Sequence, residues 1–230
     1  MDDKAARTLA QRTRMAIRPL LVLASSAILA STVSESNDLI QQIESRYNSA
    51  RTLSVNFVEN YSVLGHPRPP ESGILTLRKQ GKMRWDYTRP QGKLFISDGK
   101  NVFLYMAEDN RVEKVPLKAT EDMRAPLAFL LGRLDLKKEF QNFEVKAGDG
   151  GEWLNASAKS DRLPYKGIQM LIGPGGSIRE LKVLGRDESL LSFSFSGERI
   201  NPAVSDRIFH FAIPPGAQVV DSIQFGSQEK

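Results

Sequence analysis

The sequence predicts a mainly β protein that consists of one antiparallel sheet. Apolar and polar residues alternate from Leu53 to Val63, and a period of two indicates a strand with one buried face. Short turn signals such as Asp98-Gly99 separate similar segments, which is typical of consecutive β-hairpins. Because hairpins join neighbouring strands directly, they favour a single antiparallel sheet that is strongly twisted or curled.

One amphipathic helix precedes the strands. Apolar residues recur at helical spacing from Leu39 to Tyr47, which predicts a helix over residues 36–50. Ser36 or Asn37 would cap its start, because their side-chain oxygens accept hydrogen bonds from unpaired backbone N–H groups.

The strands are predicted from alternating or apolar segments between turn residues. They cover residues 53–63, 74–79, 82–87, 93–97, 101–106, 111–115, 143–147, 152–158, 167–172, 177–184, 190–198 and 207–212. Two short helical segments interrupt them, one at 126–132 and one around 135–140. A sheet this wide has a large apolar face, and the predicted helices cover only part of it. We therefore expect a ligand cavity between the sheet and its cover.

Residues 1–34 are typical of a secretory signal peptide. Three arginines precede an apolar run over residues 20–30, and small residues follow it. The run is shorter than a membrane-spanning helix requires. Cleavage is expected near residues 30–34, with Met15 as an alternative start. An uncleaved anchor or a disordered tail is the alternative interpretation. Export would leave the mature chain outside the cytoplasm.

The rest of the chain is predicted to be a single domain with a short tail. The domain extends over residues 35–222, and the tail over residues 223–230. The length of 230 residues is enough for one β-rich domain or two small ones, and the uninterrupted hairpins favour one.

Composition argues against several classes of function. The chain has no cysteine, which excludes disulfides, zinc–thiolate sites and lipid attachment to an N-terminal cysteine of its own. The net charge of +5 belongs largely to the predicted signal peptide, so nucleic-acid binding has little support. His66 and His210 lack metal-ligand spacing, and no set of acid, base and nucleophile is evident. We therefore expect that the protein is not an enzyme and that it binds neither a metal nor a cofactor.

Three segments together resemble the LolA family of outer-membrane lipoprotein carriers. The first is the aromatic segment 83–90, which is followed by Ser-Asp-Gly-Lys at 97–100. The second is the apolar strand 102–105, and the third is the segment 209–216 with its Pro-Pro-Gly turn. Their order and spacing extend the resemblance over residues 36–222.

The resemblance implies an incomplete, half-barrel antiparallel sheet that is covered by a helical lid. The segment with Pro126, Leu127, Leu130 and Leu131 takes the position of the lid helix. The resemblance also implies a periplasmic carrier that binds the acyl chains of lipoproteins. Such a carrier receives them from an inner-membrane ABC transporter and delivers them to an outer-membrane receptor. We expect it to be a monomer.

Six side chains are the predicted lining of the acyl-chain cavity: Phe57, Met83, Trp85, Tyr87, Phe193 and Phe195. Met83, Trp85 and Tyr87 alternate along one strand, so they share a face of the sheet. Methionine and aromatic side chains suit a ligand of irregular and changing shape. Ordinary core packing is the alternative role for each of these residues.

One position departs from the family pattern. The family carries an arginine on the strand before the aromatic segment, and this arginine is thought to hold the lid by hydrogen bonds. The matching residue here is Lys79, with Arg78 beside it. Lysine offers a point charge where arginine offers a planar fork of donors. The lid latch is therefore expected at Lys79, or at Arg78 if the register shifts by one residue.

Other functions remain compatible with the same pattern. A periplasmic carrier of other lipids, such as glycolipids, would need a similar apolar cavity. A related half-barrel that senses lipid or mislocalised lipoprotein is a second alternative. Such sensors usually carry a second domain, and this chain ends soon after Asp221, which favours the carrier.

Overall fold

The computed structural model describes residues 24–120 and 134–221, with side chains described from residue 35 to 118 and from 134 onward. Residues 121–133 lie outside the described residues. The predicted lid residues Pro126, Leu127, Leu130 and Leu131 belong to that segment, so their placement is not tested.

One long helix, α1 (Ala24–Ser49), precedes a sheet of thirteen strands in the described part of the chain. The strands are β1 (Thr52–Val63), β2 (His66–Pro67), β3 (Glu71–Arg78), β4 (Lys82–Arg89), β5 (Lys93–Asp98), β6 (Asn101–Met106), β7 (Arg111–Pro116), β8 (Phe140–Gly148), β9 (Gly151–Ala158), β10 (Tyr165–Gly173), β11 (Ser177–Gly185), β12 (Ser189–Ile200) and β13 (Gln218–Val220). A single helical turn, α2 (Leu136–Glu139), comes immediately before β8.

The sheet is open and mostly antiparallel. Strand β1 lies in its middle, paired with β3 on one side and with β12 on the other. Hairpins lead outward from β3 to β7, and from β12 through β11, β10 and β9 to β8. Strand β13 adds to β7 in parallel. In the described sheet β8 and β13 are the two end strands and do not pair with each other, which confirms a mainly β fold with a single open sheet.

Local turn chemistry closes the predicted hairpins where it was expected. Gln80 and Gly81 both have φ of 77° between β3 and β4, the positive values that a type I′ turn requires. The Asp98 carboxylate accepts hydrogen bonds at 2.7 Å from the backbone N–H groups of Lys100 and Asn101. Burial raises the pKa of Asp98, but these hydrogen bonds hold it below its usual value.

The predicted start of the helix is wrong. Helix α1 already begins at Ala24, so Ser36 and Asn37 lie inside it and do not cap its start. The chain contains neither glycine nor proline from Ala24 to Ser49, so no residue in this stretch breaks the helix. Serine and asparagine are common at helix starts, but they do not mark a start when the residues on both sides of them continue the helix.

The predicted last strand at residues 207–212 is also wrong. Residues Asp206–Phe209 form a 3₁₀ turn, in which the Ser205 hydroxyl accepts a hydrogen bond from the backbone N–H of Arg207. The strand lies further on, at Gln218–Val220. The alternation of Phe209 and Phe211 arises because both rings pack on the sheet. The alternation of apolar residues therefore arose from the packing of the two rings, and not from strand pairing.

The two faces of the sheet have different covers. Buried side chains on one face form a single cluster with Leu39, Ile40 and Ile43 of α1, and we call this the inner face. On the outer face the C-terminal segment crosses β4 and β5. Phe209 is 1% exposed there, and the Phe211 ring lies 5.3 Å from that of Phe103.

Basic side chains fasten the C-terminal segment to the outer face. Arg78 and Lys82 both form ion pairs with Asp206, the latter at 3.1 Å. Arg84 donates a hydrogen bond to the carbonyl of Ile208 at 2.8 Å. The hydrogen bond from Lys82, together with that from Arg78, holds the pKa of Asp206 below its usual value.

Tyr47 fastens α1 to the sheet. Its hydroxyl donates to the Glu198 carboxylate at 2.7 Å and accepts from the backbone N–H of Ile178 at 2.8 Å. Arg46 donates to the same carboxylate through Nε at 2.9 Å. Burial, and then the negative charge of Glu198, raise the pKa of Tyr47 far above its usual value, so the phenol remains a donor.

Replacing Tyr47 with Phe is expected to lower the free energy of unfolding by about 1–3 kcal/mol, because the buried N–H of Ile178 loses its acceptor. Urea denaturation of the two proteins measures the difference. Tyr61→Phe is the matched control, since Tyr61 is half-buried and contacts Arg68 through its ring. Equal losses in the two variants would show that Tyr47 does not anchor the helix through its hydroxyl.

Candidate functional site

Five aromatic side chains from β1, β4 and β12 form one continuous group on the inner face. We call them the aromatic cluster: Phe57, Trp85, Tyr87, Phe193 and Phe195. The Phe57 ring centroid lies 4.6 Å from that of Trp85 and 5.3 Å from that of Tyr87, both edge-on. Trp85 lies 5.6 Å from Phe193, which stacks on Phe195 at 5.8 Å. The cluster joins residues that are far apart in the chain.

A glycine allows two of these rings to meet. Gly73 of β3 pairs with Phe57 on one side and with Tyr87 on the other. A Cβ at Gly73 would come within 2.1 Å of the carbonyl oxygen of Asp86. Because β3 carries no side chain at this point, the rings from the two flanking strands approach each other across it.

All six predicted cavity residues therefore lie on the inner face, in one region of the sheet. Met83 is buried two residues before Trp85 on β4 and belongs to the same core cluster. Phe57 is 2% and Trp85 3% exposed, whereas Tyr87 and Phe195 are partly exposed. Their role in holding an acyl chain stays a prediction.

Trp85 has an unusual feature within this cluster. Its indole Nε1 is buried and has no hydrogen-bond partner in the described part of the chain. A buried indole N–H normally finds an acceptor, because leaving it unpaired costs about 1–3 kcal/mol. No sequence pattern predicts this, since it depends on what surrounds the ring.

Charged side chains bound the apolar region at one end of the inner face. Lys93 donates to both carboxylate oxygens of Glu71, at 2.7 and 2.5 Å, and lies 4.5 Å from the centre of the Tyr87 ring. Glu59 pairs in register with Glu71 across β1 and β3. We call Glu71 and Lys93 the polar rim. The rim was not predicted from the sequence. Glu71 lies two residues before Gly73 on β3, so both residues are on the inner face.

The predicted latch residues have other partners. Lys79 donates to the carbonyl of Asn48, near the end of α1, where a cation is favourable. The Asn48 side chain exchanges two hydrogen bonds, at 2.8 and 2.7 Å, with the backbone of Leu134, the first residue described after residue 120. Arg78 donates to Asp206 and to the carbonyl of Val204 on the outer face. A direct bond from Lys79 or Arg78 to the lid stays a prediction.

A small pocket lies beside the end of α1, lined by residues that include Tyr47, Leu53, Leu77 and Lys79. Its volume of about 20 Å³ has room for about one water molecule and not for an acyl chain. We do not assign a ligand to it.

Two negative findings apply to the described residues only. Within 24–120 and 134–221, no three His, Cys, Asp or Glu side chains are grouped so that they could hold a metal ion. Over the same ranges, no helix combines the length and apolar character needed to cross a membrane.

The described residues form a single open, mostly antiparallel sheet whose inner face carries the aromatic cluster. The chain belongs to the LolA family, because the model of that family, described as outer membrane lipoprotein carrier protein LolA, matches residues 48–212. The resemblance stated from the sequence is thereby confirmed.

Two relatives agree with this assignment, and one solved structure shares the fold. The chain is 29% identical to an outer-membrane lipoprotein carrier protein of Cupriavidus necator, over 91% of this chain and 99% of that protein. It is 28% identical to the protein of the same name from Chromobacterium violaceum, over 89% and 98%. An uncharacterized conserved protein from Thermus thermophilus shares the fold, with a TM-score of 0.50, 10% identity and coverage of 82% and 99%. The two relatives are named as carriers and not as enzymes.

Proposed function

We propose that this protein is a periplasmic carrier that binds the acyl chains of lipoproteins against the aromatic cluster. The observation that carries the proposal is the aromatic cluster itself, on the inner face of an open sheet in a LolA-family chain. The names of the relatives support the same cargo.

Physical chemistry explains why such a carrier needs an adaptable apolar site. Each buried methylene contributes about 0.8 kcal/mol, so one acyl chain contributes on the order of 10 kcal/mol. A free lipoprotein would aggregate or insert into the nearest membrane. The carrier must bury the chain and still release it without ATP. Met83 and partly exposed rings such as Tyr87 and Phe195 suit this task because they can repack.

An acyl chain must displace the cover of the aromatic cluster in order to bind. Phe57, Met83, Trp85 and Phe193 are buried in this structure, so an acyl chain reaches them only after their cover moves. We propose that the inner face is the concave side of a half-barrel. Its proposed cover is the lid segment with Pro126, Leu127, Leu130 and Leu131.

Export and partners complete the proposal. Residues 1–34 would be removed as a signal peptide, with cleavage near residues 30–34. Such cleavage would shorten α1 and would keep the part from Leu39 to Tyr47 that packs on the sheet. We propose that an inner-membrane ABC transporter loads the carrier and that an outer-membrane receptor accepts the cargo.

A release assay on spheroplasts tests the proposed function. The protein purified from the periplasm is added to spheroplasts that express an acylated lipoprotein, and the lipoprotein in the supernatant is measured. We expect the release of the lipoprotein to depend on the added protein. When the cysteine that carries the acyl chains is replaced, we expect the added protein to have no effect on the amount in the supernatant. Release no greater than with buffer alone would contradict the proposal. Mass spectrometry of the co-purified ligand separates acylated peptide from glycolipid.

A further inference from the structure

The indole N–H of Trp85, at the centre of the aromatic cluster, has no hydrogen-bond acceptor among the described residues. Trp85 is 3% exposed, and its ring contacts those of Phe57, Tyr87 and Phe193. The other buried side-chain nitrogen without a partner in the described residues is Nε of Arg111, whose guanidinium is already paired with Glu113 at 2.9 Å. Among the described buried side chains, Trp85 is therefore the neutral donor that has no hydrogen-bond partner.

The missing acceptor has a definite chemistry. An indole N–H can donate only one hydrogen bond and cannot accept any. A hydrocarbon tail offers no acceptor, so burying the tail alone leaves the indole N–H unpaired. The acceptors that accompany acyl chains are the carbonyl oxygens of their ester and amide linkages, at the head of each chain.

The position of Trp85 along its strand fits the head of such a chain. Tyr87 lies two residues further along β4, about 7 Å away by strand geometry. Lys93 of the polar rim lies against the Tyr87 ring. In the other direction, Met83 continues the apolar surface. A carbonyl at Trp85 would thus place the polar head toward the rim and the tail toward Met83.

We propose that the Trp85 Nε1–H donates a hydrogen bond to the linkage carbonyl of the bound acyl chain. The site then prefers a chain joined through a carbonyl over a plain alkyl chain of equal length. This inference rests on the proposed function and deepens it. Among the described residues nothing accepts a hydrogen bond from this N–H, and the linkage carbonyl would supply the acceptor.

A matched pair of lipids tests the inference with the full-length protein. Monopalmitoylglycerol and hexadecylglycerol have the same headgroup and chain length, but only the first has a carbonyl. Their affinities are measured by displacement of a fluorescent apolar probe. We expect the wild type to bind the ester about tenfold more tightly than the ether, the order of magnitude that one recovered hydrogen bond provides.

Two variants separate the hydrogen bond from packing. Trp85→Phe keeps a ring and removes the donor, so the ratio of ester to ether affinity is expected to fall to about one. Phe195→Leu removes a ring from the same cluster without removing a donor, and should keep the ratio. A wild-type ratio near one, or a ratio unchanged by Trp85→Phe, would overturn the inference. If neither lipid binds the wild type, the proposed function itself fails. The wild-type ratio decides the question even if a variant folds poorly.

Discussion

Lipoprotein release is expected to fall to the level of buffer alone when Phe57 is replaced by Glu. Phe57 is 2% exposed and contacts the rings of Trp85 and Tyr87, so the new carboxylate would stand within the proposed acyl site. Bringing an ionised carboxylate and an acyl chain together in an apolar site costs several kcal/mol, because the charge loses its hydration without gaining a partner. The spheroplast assay measures this loss directly.

The neighbouring residue provides a matched control. Val58 follows Phe57 on β1 but points to the outer face and is 42% exposed. Val58→Glu introduces the same charge one position away, and it should leave release close to the wild-type level. Tyr87→Glu repeats the test at the partly exposed edge of the aromatic cluster, where folding is less affected. Equal release by the Phe57, Tyr87 and Val58 variants would remove the aromatic cluster from the proposed site.

Replacing Phe209 with Ala is expected to lower the free energy of unfolding by about 3–5 kcal/mol. Phe209 is 1% exposed, and the guanidinium of Arg78 lies 6.0 Å from the centre of its ring. Removing the ring leaves a cavity between the C-terminal segment and the outer face of the sheet. Urea denaturation, followed by circular dichroism, measures the change.

Ile213→Ala in the same segment is the control, because Ile213 is 48% exposed and its truncation should change stability by less than about 0.5 kcal/mol. The Phe209 variant should also keep its lipoprotein release per folded molecule, since Phe209 lies on the face opposite to the aromatic cluster. A loss below about 1 kcal/mol would show that the C-terminal segment is not a structural part of the sheet.

Most hairpins were predictable because the residues that specify them are neighbours. Gln80 and Gly81 carry the positive φ values of their turn, and the Asp98 carboxylate bonds the backbone two and three residues ahead of it. The face of the sheet on which Trp85 and Tyr87 lie was likewise predictable, because these residues alternate along one strand. Whether they line a cavity stays a prediction. Two predictions were wrong because one pattern fits two structures. A serine such as Ser36 occurs both at helix starts and inside helices, and alternating apolar residues such as those at 207–212 occur both in strands and in irregular segments that pack on a sheet.

The polar rim and the unpaired donor were not predictable in the same way. Glu71 and Lys93 belong to β3 and β5, which are separated by β4, and they meet through their long side chains. The indole N–H of Trp85 has no acceptor among the described residues, and rings from β1 and β12 lie against it. Likewise, the contacts of Lys79 with Asn48 and of Asn48 with Leu134 depend on where the helix ends against the sheet.

The sequence by itself determined the class of fold, the order of the hairpins, the face on which Met83 and the aromatic side chains lie, and membership of the LolA family. The class of fold, the order of the hairpins and the shared face follow from turn chemistry and from the period of two, which act between residues a few positions apart. The family follows from the resemblance of its segments and from the family model that matches residues 48–212. Only the tertiary structure decided that Phe57, Trp85 and Phe193 form one group and that Phe209 packs on the opposite face. It also decided that the indole N–H of Trp85 has no acceptor within the part of the chain that the structure describes. These features depend on the register of strands that are distant in the chain, and no local pattern encodes that register.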